Sequence, residues 1–118
     1  MRLSEYQRIF TLNVSKLIAF AYSKNIELTF GEAYRTREQQ LIYVQSGKSK
    51  TMNSKHLKRL AVDFNFFKNG NLTYKWEDIK EIGNYWESLH SKNRWGGDWN
   101  NNEKKDGFID TPHFEMNV

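Results

Sequence analysis

Two histidines and one aspartate stand where they could meet. His56 precedes Leu60 to Phe67, a run whose alternation predicts a strand. Asp63 lies on that strand's face opposite Val62, Phe64 and Phe66, beside the small Ala61. His113 stands in Asp110-Thr111-Pro112-His113-Phe114-Glu115, where an extended chain puts His113 and Glu115 on one face and Phe114 toward a core. The fixed φ of Pro112 helps set that segment. Should this strand lie beside that of Asp63, with a turn bringing His56 alongside, two imidazoles and a carboxylate would converge. Such a donor set suits Zn²⁺: three protein ligands with the fourth position open is the catalytic pattern. Zinc brings the pKa of its water toward about 7, making hydroxide available. From residue types and spacing alone the site stays open. A lone aspartate on a strand can face solvent, and one His and one Asp seven residues apart do not make a self-sufficient motif. His90, the third histidine, falls near the end of a helical segment, where the helix dipole favours a surface cap.

The elements that must position these groups are legible in the pattern. A first helix is expected from about Ser4 to Ser23, with Ser4 and Gln7 in capping-box spacing and an apolar stripe of Phe10, Val14, Leu17 and Ala21. Asn25 ends it, and Ile26 to Phe30 alternates as a strand. Thr36 and Gln39 repeat the capping-box spacing before a second helix, about Thr36 to Gln45, with Gly47 at its stop. Residues 46–53 are small and polar and read as an exposed loop. Asn69-Gly70 predicts a tight hairpin between the Leu60–Phe67 strand and a return strand from Asn71 to Tyr74. A third helix, about Lys75 to His90, would bury Trp76, Ile79, Gly83, Trp86 and Leu89. Trp95-Gly96-Gly97-Asp98-Trp99 leads into a polar tail, and a short strand from Pro112 to Met116 closes the chain. The class is α+β: three helices on a small, mainly antiparallel sheet, forming one domain over residues 1–118.

Composition narrows the field. The 118 residues contain no cysteine, which excludes disulfides and thiolate metal sites. Aromatic residues make up 15%, against the usual composition of disordered chains. No apolar run approaches the roughly 20 residues of a membrane span, so no stable membrane insertion is expected. The net charge of +4 suits an anionic partner without choosing one. The lysines are scattered and no nucleic-acid motif is present, so nucleic acid is not the expected partner. The N-terminus opens an amphipathic stretch without a secretory apolar region.

Four segments in order carry a resemblance. Ser54-x-His56 with Asp63, then Asp110-x-Pro112-His113-Phe114-Glu115, resembles the zinc D,D- and L,D-peptidases of the D-alanyl-D-alanine carboxypeptidase superfamily, above all its phage endolysin branch, the L-alanyl-D-glutamate peptidases. Gly31-Glu32-Ala33-Tyr34-Arg35-Thr36-Arg37-Glu38-Gln39-Gln40 is similar to that family's Tyr-Arg-Ser/Thr segment, and Trp95-Gly96-Gly97-Asp98-Trp99 to its Trp-Gly-Gly-Asp-Trp segment. With the opening helix, the similarity covers nearly the whole chain. One departure is Arg59, where the family often has glycine; it leaves the local backbone and the groove open.

The resemblance implies the hedgehog/D,D-peptidase type of fold and a single zinc peptidase domain, a monomer acting on peptidoglycan stem peptides. It implies zinc ligation by His56, Asp63 and His113. Asp110 is then general base and acid, and Arg35 steadies the scissile carbonyl oxygen as it gains charge. Ser54 matches a position beside the substrate. Glu115 is the rival base, and is expected instead to orient a ligand. Tyr34, Trp95 and Asp98 would shape or brace the groove. The implied activity is L-alanyl-D-glutamate endopeptidase in a phage or prophage endolysin, made in the host cytoplasm without a signal peptide and released to the wall. The alternatives are a D-alanyl-D-alanine carboxypeptidase or dipeptidase with the same ligands, and a catalytically silent zinc-containing binding module.

Overall fold

The computed structural model describes every residue except 50, 53, 103, 106 and 108. In chain order it forms α1 (Leu3–Ser23), β1 (Ile26–Phe30), α2 (Arg37–Gln45), a single 3-10 turn (Lys55–Lys58), β2 (Ala61–Lys68), β3 (Asn71–Thr73), α3 (Trp76–Ser88), β4 (Asn93–Trp95) and β5 (His113–Met116). The sheet runs β1-β2-β5-β4, with β3 paired to the far end of β2, and every pairing is antiparallel. The expected α+β class holds.

One face of β2 builds the core. Val62, Phe64 and Phe66 are buried with Phe114 of β5, and helices α1 and α3 close over them through Phe10, Leu17, Ile79, Ile82 and Trp86. Trp86 meets both Phe10 and Phe114 edge-to-face, and its Nε1 donates to the carbonyls of Arg94 and Glu115. That indole ties α3 to β4 and β5, the strands that carry one wall of the site. The opposite face of β2 presents Asp63, Asn65 and Phe67.

Several local details differ from expectation. Ser4 does not cap α1: the helix starts one residue earlier, after Arg2, with no side-chain cap. Gln7, the other half of that spacing, donates instead to the Lys58 carbonyl, a tertiary contact local spacing cannot show. Buried Asn13 interrupts the stripe, while Val14 is only half-buried. The third helix is shorter than expected, so His90 lies beyond it, where its Nδ1 accepts from the Lys92 amide. The tail contains β4, unexpected because Asn93-Arg94-Trp95 has no alternating run of its own; it forms by pairing with β5. Thr36 caps α2 as expected, accepting from the Gln39 amide. Asn69 and Gly70 both take positive φ, 53° and 79°, in the two-residue hairpin. Of the expected 46–53 loop, positions 50 and 53 lie outside the described residues.

Candidate active site

The register of two strands makes the site. In the β2–β5 ladder Asp63 stands directly opposite His113, and Ala61 opposite Glu115. His113 Nδ1 lies 3.0 Å from Asp63 Oδ1, and its Nε2 lies 2.8 Å from Glu115 Oε1. His56 arrives from the 3-10 turn. Ser54 caps that turn, its Oγ accepting from the His56 amide at 3.2 Å. His56 Nδ1 donates to the Ala33 carbonyl at 2.7 Å, which leaves Nε2 facing Asp63 Oδ2 at 3.5 Å. Arg59 then reverses the chain into β2 with φ 57°, the left-handed region. A glycine would take this conformation without strain. Arg59 instead stacks its guanidinium over the Tyr34 ring at 4.1 Å.

The donor set fits a divalent metal. One ligand atom from each of His56, Asp63 and His113 lies within 4.8 Å of the others. Each imidazole has its second nitrogen committed, to a backbone carbonyl in one case and a carboxylate in the other. That is how metal-ligating histidines are ordinarily oriented. The three groups also polarise one another. Burial opposes charge on His113, but hydrogen bonds to Asp63 and Glu115 carry its pKa up to about 9. Burial likewise works against the Asp63 carboxylate, yet hydrogen bonds from His113 and His56 hold its pKa well below the usual range.

Asp110 stands at the foot of β5. Its carbonyl accepts from the His113 amide at 3.1 Å, and its own amide donates to Gly96 at 2.7 Å. Burial pushes its carboxyl pKa up, with His113 opposing and the Asp63 charge adding to the rise. A cleft of about 370 Å³ has His56, Asp63, His113, Asp110, Arg35 and Ser54 in its walls. A second hollow of about 630 Å³ shares His113, Asp110 and Ser54 and continues past Trp99, Lys55 and Glu115. All seven singled-out residues thus border one continuous depression.

Of three supports of Arg35, the pairing with Glu32 was one that the sequence offered beside Glu38, whereas Gln40 and Tyr43 escaped the sequence reading. Glu32 pairs with its Nε, Gln40 Oε1 accepts from its Nη1 at 2.7 Å, and the Tyr43 ring lies 4.7 Å beneath the guanidinium. Glu32 and Gln40 fall within the segment already quoted for its resemblance, which was the available signal. Trp99, also in a quoted segment, sets its ring 5.6 Å from that of His113. Of the other residues named for the groove, Trp95 is buried and donates to the Thr111 carbonyl. Asp98 Oδ1 accepts from the Asn102 amide, bracing the turn after the glycines. Tyr34 is half exposed beneath Arg59 and lines neither hollow.

The family model for phage L-alanyl-D-glutamate peptidases matches residues 10–117. The chain belongs to that family. A curated relative, the L-alanyl-D-glutamate peptidase of Listeria phage A118, is 37% identical over 105 residues, covering 86% of this chain. The chain matches only 34% of the length of that relative. Among solved structures, the L-Ala D-Glu endopeptidase ChiX of Serratia marcescens superposes with a TM-score of 0.65 at 23% identity, covering 98% of this chain and 86% of that one. The vancomycin-resistance D,D-pentapeptidase VanY, solved in complex with Zn(II), gives 0.59 at 17% identity, covering 91% and 70%. At these identities the two structures establish a shared fold.

Proposed function

We propose that this domain is a zinc-dependent peptidase that hydrolyses the L-alanyl-D-glutamate bond of peptidoglycan stem peptides, as the lytic enzyme of a phage or prophage. The single observation that carries the reading is the convergence in one cleft of three side chains able to hold a metal ion, a carboxylate of raised pKa and a guanidinium. Family membership supports the choice of bond.

His56 Nε2, one oxygen of Asp63 and His113 Nδ1 would hold the ion. Bound there, zinc supplies Lewis acidity, polarising a carbonyl and making a water a competent nucleophile near neutral pH. Asp110 takes the proton from the attacking water and returns it to the departing D-Glu amine. Burial favours the protonated form it needs for the second task. Arg35 donates to the carbonyl oxygen as negative charge builds, and its planar, permanently charged fork suits a fixed position. Glu115 holds the His113 ring by Nε2 and so sets which nitrogen faces the ion. Ser54 borders the cleft as a hydrogen-bonding group for the peptide. The domain would act as a monomer on the wall after release from the cytoplasm. No helix among the described residues is long and apolar enough to cross a membrane.

The test is digestion of isolated peptidoglycan with zinc-loaded and chelated protein, with products read by mass spectrometry. Zinc-dependent fragments with a new N-terminal D-Glu are the expected result. Free D-Ala would replace the reading with a carboxypeptidase. No product from folded, zinc-loaded protein on several wall types would overturn catalysis altogether.

A further inference from the structure

Helix α2 is built inside out. Leu41 and Ile42 are exposed, while its one fully buried side chain is the amide of Gln40. Burying an uncharged amide is unfavourable unless its polar atoms are matched, and here both ends are engaged. Oε1 accepts from Arg35 Nη1 at 2.7 Å. Nε2 donates to Ser49 Oγ at 2.9 Å and to the Thr51 carbonyl at 2.5 Å. Ser49 lines both hollows and Thr51 the second. One side chain therefore joins the cleft's guanidinium to the segment walling the cleft.

With Glu32 on Nε and Gln40 on Nη1, Arg35 is held at two of its three nitrogens. Among the described residues no protein group takes Nη2, leaving it as the donor for an incoming oxygen. We propose that Gln40 is a positioning residue: it acts through Arg35, locking the guanidinium to Ser49 and Thr51 in the cleft wall so that one donor is held in register with His56, Asp63 and His113. This rests on the role given to Arg35 under the proposed function. The substitution that removes the device while keeping length and flexibility is Gln40→Met.

The experiment uses the full chain loaded with zinc. Rotation of the Arg35 guanidinium, followed by nitrogen-15 NMR, is expected to be hindered in the wild type and freed in Gln40→Met. Unchanged rotation would overturn the inference whether or not the protein cleaves peptide. On an L-Ala-D-Glu stem peptide, Gln40→Met should lower kcat roughly 10- to 100-fold, the scale of a misplaced catalytic group, with little change in zinc stoichiometry. In an Arg35→Ala background the same substitution should change kcat less than about 2-fold, since coupled groups are non-additive. An equal loss in both backgrounds would mean a general structural role and overturn the inference. If Gln40→Met fails to fold, Gln40→Glu decides, since it keeps the acceptor for Arg35 and deletes the donor to Ser49 and Thr51. A fall in kcat of roughly 10-fold or more in that variant, at unchanged zinc stoichiometry, supports the inference, and wild-type kcat overturns it. Failure of the proposed function shows differently, as wild-type protein that holds Arg35 rigid yet cleaves nothing.

Discussion

Gly96→Ala should disable the site from behind. A Cβ at Gly96 would stand 2.1 Å from the Asp110 carbonyl oxygen and 2.9 Å from its carbon. Real Cβ atoms essentially never approach closer than 3.0 Å, so the two backbones must part by about 0.9 Å. No flexible side-chain end is available to yield, because the obstacle is main chain. The same two residues are tied by the Asp110 amide to the Gly96 carbonyl at 2.7 Å, and Gly96 donates to His113 at 2.8 Å. Parting them moves Asp110 and disturbs His113. Displacing a catalytic group by nearly 1 Å costs on the order of 100-fold in rate, and overpacking costs about 1–3 kcal/mol in stability. The assay is kcat on a stem peptide at saturating zinc, with thermal unfolding measured alongside. Ile82→Val, in the α3 core, controls for stability: it should cost about 1 kcal/mol and leave kcat unchanged. A folded Gly96→Ala enzyme within 3-fold of wild-type kcat would refute the reasoning (a ratio of about 0.65 kcal/mol). So would an equal loss of rate in Ile82→Val.

Zinc binding should release protons. With His113 held at about 9, the metal-free protein carries a proton there at pH 7 that ligation displaces. Calorimetry in buffers of different ionisation enthalpy should find about one proton per zinc, and no release would contradict the assignment. In chelator, the His113 contribution to stability is complete below its unfolded pKa near 6.5 and is lost as pH climbs through about 9. The Asp63 contribution is present above its unfolded value near 3.8 and is lost as pH falls toward its depressed folded value. The melting temperature of the chelated protein should therefore decline from pH 6.5 to 9 and also in acid; a flat profile would contradict both shifts. Asp110→Asn should keep zinc and lose about 10²–10⁴-fold in kcat, while Glu115→Gln should weaken zinc by about 10–100-fold. The reverse pattern at saturating zinc would make Glu115 the base. Asn13→Leu should raise the melting temperature by the equivalent of about 1 kcal/mol. Asn13 is buried, and its Nδ2 has no hydrogen-bond partner among the described residues; a lower melting temperature would show that the amide is used.

The local grammar of the chain was enough to locate most elements. Alternation in Leu60 to Phe67, the Asn69-Gly70 turn and the Thr36 cap are decided within a few residues, by side-chain period and by φ preferences that neighbours enforce. The donor types that a metal site would need could be named too, because imidazoles and a carboxylate are what such an ion takes. Ser4 failed as a cap because local spacing competes with tertiary contacts, and Gln7 found a better partner 51 residues away.

What the sequence determined by itself, then, was the inventory: an α+β chain, its strongest strands, and the residues able to do chemistry. Only the tertiary structure decided their meeting. The opposition of Asp63 and His113 is a register across 50 residues. The tautomer of His56 is set by a carbonyl 23 residues upstream, and the place of β4 by a partner it cannot reach until the chain has closed. The clamp on Arg35 needs an amide that α2 turns inward against its apolar neighbours. Each is a long-range contact, whose partner is set by ladder register and core packing rather than by the residues on either side.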